Sequence, residues 1–300
     1  MGNATSKFFK CINCFKKSDE NQYDDFAQGQ TNIVFPEYKS ISDAFLVDVE
    51  KNNNLFYFIP LIDFVNLLEN FTIRNDTNPT EIKRKTNYKS TDKFLEEEIS
   101  REEFQAFITI DILNHKNIYD IAMKNNEKKE NFQNIFTIIY DSLLTQLNQH
   151  FKNKMSERLK KRHILAIGLL YCLSNNIGKI KFFYDIFNAE DIGFWKCEEL
   201  DEFLLSLFVI ASTGIINARM KIGTINKNFP PLKQEESYAL VKYNELNNCQ
   251  KLLKQFDKEF FDIDQMTYEE FKGRFSASNS CGWIFEPKGI REKLQTISNK

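Results

Sequence analysis

Two amphipathic stretches joined by a short loop, Ile180–Leu205, place the tightest constraint on what this chain can fold into. The segment reads IKFFYDIFNAEDIGFWKCEELDEFLL. Apolar residues recur at helical spacing as far as Phe187, lapse, and resume from Leu200, a pattern that predicts helix, loop, helix. One glycine, Gly193, stands at the centre of the loop. Trp195 follows it, and the acidic pair Glu198–Glu199 opens the second helix. The rest of the chain agrees with an all-α fold. Ten glycines and six prolines in 300 residues are few for the many tight turns of an all-β architecture.

A chain that is 42% hydrophobic and 27% charged can bury a sizeable core and is neither disordered nor membrane-spanning as a whole. The net charge of -2 gives no reason to expect nucleic-acid binding. The longest apolar run, Ile164–Leu173, is about half what a bilayer requires. No secretory signal precedes the fold, and the six cysteines show no disulfide framework, so reduced thiols in the cytosol are expected.

The first residues carry a different signal. Met1-Gly2-Asn3-Ala4-Thr5-Ser6 fits the N-myristoylation pattern, with glycine second and serine sixth. One myristoyl chain holds a protein only marginally, and stable anchoring takes a second acyl chain or a basic patch. Both are at hand: Cys11 and Cys14 for S-acylation, and Lys7, Lys10, Lys16 and Lys17 for the anionic surface. Residues 1–36 are therefore expected to be a lipidated flexible tail on the cytoplasmic face of a membrane. Cys11-x-x-Cys14 would serve as half of a zinc site, but no second pair follows at metal spacing, and His115, His150 and His163 are scattered.

Further along, a helix is expected up to about Val49, then a loop over Asn52–Phe58. Another begins at Pro60, with Leu61, Phe64, Val65, Leu68 and Phe71 on one face. Ser100-x-x-Glu103 and Thr267-x-x-Glu270 are capping boxes. A long helix over Phe132–Phe151 turns Ile135, Phe136, Ile139, Leu143 and Leu147 inward. The next, Glu157–Leu173, starts at Ser156, and its basic residues Arg158, Lys160, Lys161 and Arg162 are read as a solvated face. The carboxylates Glu96–Glu98, Glu102 and Glu103 are read the same way. After the helix Glu198–Ala211, Gly214–Glu235 reads as an irregular insertion, with Gly223 and Pro230-Pro231. Tyr238–Phe256 resumes a helical period, and a last helix follows Pro287. Two lobes, 37–150 and 151–300, accommodate these elements.

The central loop can be laid over the twelve-position calcium-loop template, which wants oxygen ligands at positions 1, 3, 5, 7, 9 and 12 and glycine at 6. Asn188, Glu190, Gly193 and Glu199 fall at positions 1, 3, 6 and 12, and Phe194 at 7 would ligate through its backbone carbonyl. Ile192 at 5 cannot ligate, and Lys196 at 9 brings a positive charge, so calcium is left with too few carboxylates. Glu259–Glu270 fits in the same register, and a slightly longer loop would enlist Asp257, Asp262, Asp264 and Glu270. Asp92–Glu103 and Asn52–Asp63 fit more loosely. Each loop has an apolar residue at position 8 (Ile59, Ile99, Trp195, Met266), and the template pairs Ile59 with Ile99 and Trp195 with Met266.

On these residues the chain resembles the EF-hand superfamily, in particular the myristoylated neuronal-calcium-sensor and calcineurin-B-like branch. The likeness is clearest over Leu165–Leu207, where KIKFFYDIF leads into the central loop. It also resembles the EF-hand-like helical region that precedes a TLDc domain. The resemblance implies an all-α protein of two lobes, each a pair of largely degenerate EF-hand units with extra helices, working by reversible calcium and target binding. The departures at ligand positions make calcium binding weak or lost. No catalytic constellation is visible: there is no phosphate-cradling glycine loop, nucleophile elbow or histidine pair on one helix. The expected function is a membrane-anchored adaptor or calcium sensor that takes a helical segment of a protein partner into an apolar groove. The alternatives are a purely structural helical scaffold and an enzyme whose site the sequence does not reveal.

Overall fold

A computed structural model describes residues 46–71, 91–151, 156–188, 198–227, 229, 249–260, 266–276 and 281–298. Long segments with a 3.6-residue apolar period become helices and bury the residues that the period selects. After a π-helical turn at Asp48–Asn52 and a 3-10 turn at Phe56–Phe58, helix α1 (Leu61–Asn70) starts behind Pro60 and buries Leu61, Phe64, Val65 and Leu68. Helix α2 (Thr91–Glu96), strand β1 (Glu98–Ile99) and helix α3 (Arg101–Ala106) follow. The capping box at the start of α3 is complete. Ser100 Oγ accepts from the Glu103 backbone N–H at 3.3 Å, and the Glu103 carboxylate accepts from the Ser100 N–H at 2.7 Å. Helix α4 (Tyr119–Lys124) leads to the long α5 (Asn126–His150), which buries Ile135, Phe136, Ile139, Leu143 and Leu147 as its period requires.

Strand β2 (Leu159–Lys160) opens directly into α6 (Lys161–Tyr171), and α7 (Asn176–Phe187) is capped by the Asn175 side chain. Helix α8 (Glu198–Val209) passes through a π turn at Ile210–Gly214 into α9 (Ile215–Ile225). Helices α10 (Cys249–Phe260) and α11 (Tyr268–Ser276), a 3-10 turn at Cys281–Phe285 and α12 (Pro287–Ser298) complete the described order. The fold is all-α. Its two-stranded β link is two residues long on each side.

One continuous buried cluster runs from Leu46 to Leu294. Helix α5 lies along α8, the π turn and α9, while α6 is wedged between α1 and α8. Close approach of α6 to α1 needs a glycine: a Cβ on Gly168 would sit 2.4 Å from a Phe64 ring carbon. The continuous helix Glu198–Ile225 is long and apolar enough to cross a bilayer, with a mean hydropathy of 1.6. It is the central helix of the core, with 83% of its apolar window buried.

Several sequence expectations need correction. Ile215–Ile225, placed in an irregular insertion over Gly214–Glu235, is helical, because the π turn absorbs Gly214 without ending the helix. The helix expected over Glu157–Leu173 starts only at Lys161, since Leu159 and Lys160 are spent on β2. Strand β2 is the antiparallel partner of β1, with Ile99 opposite Leu159. The Tyr140 hydroxyl locks the pair, donating to the Ile99 carbonyl at 2.6 Å and accepting from the Leu159 N–H at 3.2 Å. Ile59 meets Leu173 instead, its carbonyl accepting the Leu173 N–H at 2.8 Å. Ile59 and Ile99 are therefore not strand partners. An apolar residue just ahead of a helix N-terminus satisfies the template wherever it occurs, so the template does not choose its partner.

The basic start of α6 is not a solvated face. Lys161 and Arg162 have side chains only 1% and 3% exposed. Lys161 reaches Glu97 at 2.7 Å and the Phe71 carbonyl at 2.9 Å. Arg162 is paired with Glu96 and lies 3.6 Å from Glu202, while Lys160 bridges Glu96 at 2.9 Å and Glu202 at 3.4 Å. Arg158 bonds Glu103 at 2.5 Å. Glu96, Glu97 and Glu103, read as solvated, do stay partly exposed, and with the buried Glu202 they are the counterions that let Lys161 and Arg162 enter the interior.

His163, next in line, is buried against α8 with Nδ1 2.9 Å from Ser206 Oγ. Burial first, and then the charges of Arg162 and Lys160, push its pKa down to about 3. The unfolded chain therefore binds a proton near pH 6.5 that the folded chain refuses, and stability present above that pH is lost as pH falls towards 3. From pH 6.5 to 5 this one group should cost about 2 kcal/mol. Urea denaturation of His163→Gln at both pH values should show a shallower decline than the unsubstituted protein.

Candidate helix-binding groove

The residues singled out as calcium ligands divide between described and undescribed parts of the chain. Asn188 ends α7, and Glu199 is exposed in the first turn of α8. Glu190 and Phe194 lie outside the described residues, as do Trp195, Asp262 and Asp264. Asp257 is half-buried within α10. Glu270 caps α11: its carboxylate accepts from both the N–H and the hydroxyl of Thr267 at 2.8 Å, and these bonds hold it below the usual carboxylate range. In the looser matches, Asp92 and Glu96 belong to α2 rather than to a loop. Asn54 is spent on the Phe56 N–H at 3.0 Å, and Asp63 lies 3.2 Å from His115. Among the described residues no three His, Cys, Asp or Glu side chains are grouped to hold a metal. Gly2, Cys11, Cys14 and Lys7, Lys10, Lys16 and Lys17 lie outside the described residues.

What the geometry does build is an aromatic core where two pairs of helices meet. Helices α7 and α8 are one consecutive pair, α10 and α11 another. They pack crosswise, α7 on α11 and α8 on α10. Phe183 of α7 is the hub, with Phe203, Phe271, Phe275 and Phe285 all within 6 Å of it between ring centroids. Such aromatic contacts add to the area that each ring buries. The Arg274 guanidinium closes the C-terminal end of α10, donating to the Phe260 carbonyl at 2.7 Å.

The C-terminal segment packs into the space between these helices. The 3-10 turn inserts Trp283 against Phe208 and Phe256, and Phe285 against Phe275. Helix α12 follows it over α8, α10 and the π turn, burying Ile290, Arg291 and Leu294. Gly289 allows this approach, because a Cβ there would sit 2.8 Å from the Trp283 carbonyl oxygen. Lys179, fully enclosed, donates to the Leu170 carbonyl at 3.3 Å and the Phe285 carbonyl at 3.2 Å. Burial pushes its pKa down to about 8.

Arg291 is the unexpected member of the set. Its Nη1 and Nη2 donate to the two carboxylate oxygens of Glu50 at 2.7 and 2.9 Å, and Nη1 also donates to the Ala211 carbonyl at 2.9 Å. Both side chains are 2% exposed or less. Ala211 lies in the π turn, where the Ile215 N–H reaches back to Ile210, and the widened turn offers its carbonyl to the guanidinium. Tyr171 adds a hydroxyl to Glu50 at 3.4 Å. Burial and the Glu50 charge push the Tyr57 phenol well above its ordinary range. The sequence reading missed this site. Arg291 stands beside Ile290 and three residues before Leu294, a position that reads equally well as the polar flank of an amphipathic helix.

The buried His163–Ser206 pair is a packing contact, since Ser206 is 0% exposed and its hydroxyl donates to the Glu202 carbonyl at 2.8 Å. Comparison with protein-family models, curated proteins and solved structures returns no match.

Arg291→Met should cost about 3–5 kcal/mol in guanidinium chloride unfolding, because Glu50 keeps a buried charge without its guanidinium. The double substitution Glu50→Leu with Arg291→Met should recover most of that loss, as apolar replacement of a whole buried pair is often close to neutral. A cost below about 1 kcal/mol for the single substitution, the range of exposed pairs, would show that the pair is not buried in solution.

Proposed function

We propose that this chain is a membrane-anchored adaptor of EF-hand type that binds a helical segment of a protein partner, with calcium binding weak or lost. The observation that carries this reading is the crosswise packing of α7–α8 on α10–α11 with an amphipathic helix seated on their apolar side. Paired helix–loop–helix units that hold such a groove open bind helices in this manner. The short antiparallel link between β1 and β2 joins two further helix–strand–helix units, α2–β1–α3 and α5–β2–α6, and supports the same kinship. The ligand positions argue against a strong calcium site, because Ile192 and Lys196 take two of them and the Glu270 carboxylate is engaged by Thr267. A purely structural scaffold is the second reading, favoured by the fact that the chain's own α12 closes the groove.

Two measurements test the proposal. Calorimetry and tryptophan fluorescence should stay flat up to millimolar calcium, with Trp283→Phe isolating Trp195 as the reporter. A saturable response at micromolar calcium would make the protein a sensor instead. Gly2→Ala should move the protein from the membrane fraction to the soluble fraction, because the remaining basic residues and thiols anchor poorly without the first acyl chain. Unchanged fractionation would remove the membrane anchor from the proposal.

A further inference from the structure

We infer that the Arg158 guanidinium is the resident cation of the Asp92–Glu103 unit, seated where the calcium-loop template places the ion. It makes the link between β1 and β2 independent of calcium. The inference rests on the EF-hand reading and adds what has taken the metal's place in this unit.

Laid over the template, Asp92–Glu103 puts Glu98 at position 7, which ligates through its backbone carbonyl, and Glu103 at position 12, which ligates through its carboxylate. The structure brings both groups to one nitrogen. Arg158 Nη2 donates to the Glu98 carbonyl at 3.1 Å and to a Glu103 carboxylate oxygen at 2.5 Å. The other positions are spent or unsuited. Asp92 and Glu96, at 1 and 5, belong to α2, and Glu96 is paired with Arg162. Position 3 is Phe94, and the Ser100 hydroxyl at position 9 serves the capping box. A calcium ion at positions 7 and 12 would tie the loop carbonyl to the first turn of the following helix. The charged nitrogen makes the same tie with two charge-assisted hydrogen bonds.

The segment that delivers Arg158 is held on both sides. Asn148, near the end of α5, clamps Ser156 by its backbone, donating to the carbonyl at 2.7 Å and accepting from the N–H at 3.0 Å. Ser156 Oγ accepts the Arg158 N–H at 3.0 Å, and the Tyr140 hydroxyl accepts the Leu159 N–H at 3.2 Å. The backbone at Arg158 is therefore fixed before its side chain reaches across to β1, which lowers the entropy cost of ordering the guanidinium. Lys160, Lys161 and Arg162 pair with the carboxylates of Glu96, Glu97 and Glu202. Arg158 instead joins a loop carbonyl and a helix carboxylate, the two ligand types of a calcium loop.

The test is thermal unfolding of the full chain, read with hydrogen exchange at the Lys161 amide, which donates across the link to the Glu97 carbonyl at 2.7 Å. Arg158→Ala should lower the melting midpoint by about 2–4 °C and speed exchange at Lys161 about tenfold, as two charge-assisted bonds at a partly exposed pair are lost. Calcium at about 10 mM should then restore most of the lost midpoint to Arg158→Ala and leave the unsubstituted chain unmoved. Sodium chloride at the same ionic strength is one control. The other is Glu103→Gln in the Arg158→Ala background, which keeps a capping-box residue and removes the carboxylate. Rescue by calcium that the double substitution abolishes supports the proposal. An unchanged midpoint and exchange rate in Arg158→Ala, no rescue, equal rescue by sodium, or rescue that survives Glu103→Gln each overturns it. Should Arg158→Ala fold poorly, Arg158→Gln keeps a donor without the charge and is read against the same outcomes. A calcium response of the unsubstituted chain that leaves Lys161 exchange unchanged defeats the weak-calcium reading and leaves Arg158 in its seat, so the two fall separately.

Discussion

A guanidinium buried at Arg291 has to be met by a carboxylate, and the carboxylate that meets it lies 241 residues away. An isolated charge in the interior costs several kcal/mol, a large part of the margin by which a protein is stable, so burial favours the two groups entering together. That condition fixes three parts of the chain at once. The π-helical turn of Asp48–Asn52 must present Glu50 inward, α12 must turn Arg291 towards it, and the central helix must widen at Ile210–Gly214 to offer the Ala211 carbonyl. The π turn is what brings that carbonyl to the guanidinium. Lys179 is held differently, one enclosed ammonium tying the carbonyls of Leu170 and Phe285.

The same logic governs the start of α6, where Lys160, Lys161 and Arg162 meet Glu96, Glu97 and Glu202. Here sequence reasoning went astray for an identifiable reason. Consecutive charges on a helical period are read as a solvated face because their neighbours along the chain show no counterions. The counterions arrive from α2 and α8, far away in sequence, and no local pattern announces them. The apolar faces, by contrast, are announced by their period. Leu61, Phe64, Val65 and Leu68 on α1, and Ile135, Phe136, Ile139 and Leu143 on α5, are buried as the spacing requires. The capping box at Ser100 and Glu103 was equally legible, since both bonds close within four residues.

Pairing between units was not legible. Ile59 and Ile99 each precede a helix, which is all that a one-dimensional template can detect, and each found a different partner, Leu173 and Leu159. The partner of β1 came from a stretch whose composition reads as the beginning of a helix, and a strand of two residues is too short to leave a period-2 signal. The aromatic core and its ion pair were half legible. The helical period over Ile180–Phe187 puts Phe183 on an apolar face, but nothing near Glu50 or Arg291 distinguishes a buried ion pair from two ordinary surface charges.

On the adaptor reading, the degenerate loops and the filled groove bear on one another. A calcium sensor keeps its groove shut with one conformation and opens it when the ion binds, so the ion supplies the bias between two states. Loops that have lost ligands cannot supply that bias, and a groove left open would expose a large aromatic patch to water. An intramolecular helix solves both difficulties. It covers the patch at all times: Ile290, Arg291 and Leu294 of α12 are each 2% exposed or less, and Glu50 neutralises the charge that this burial encloses.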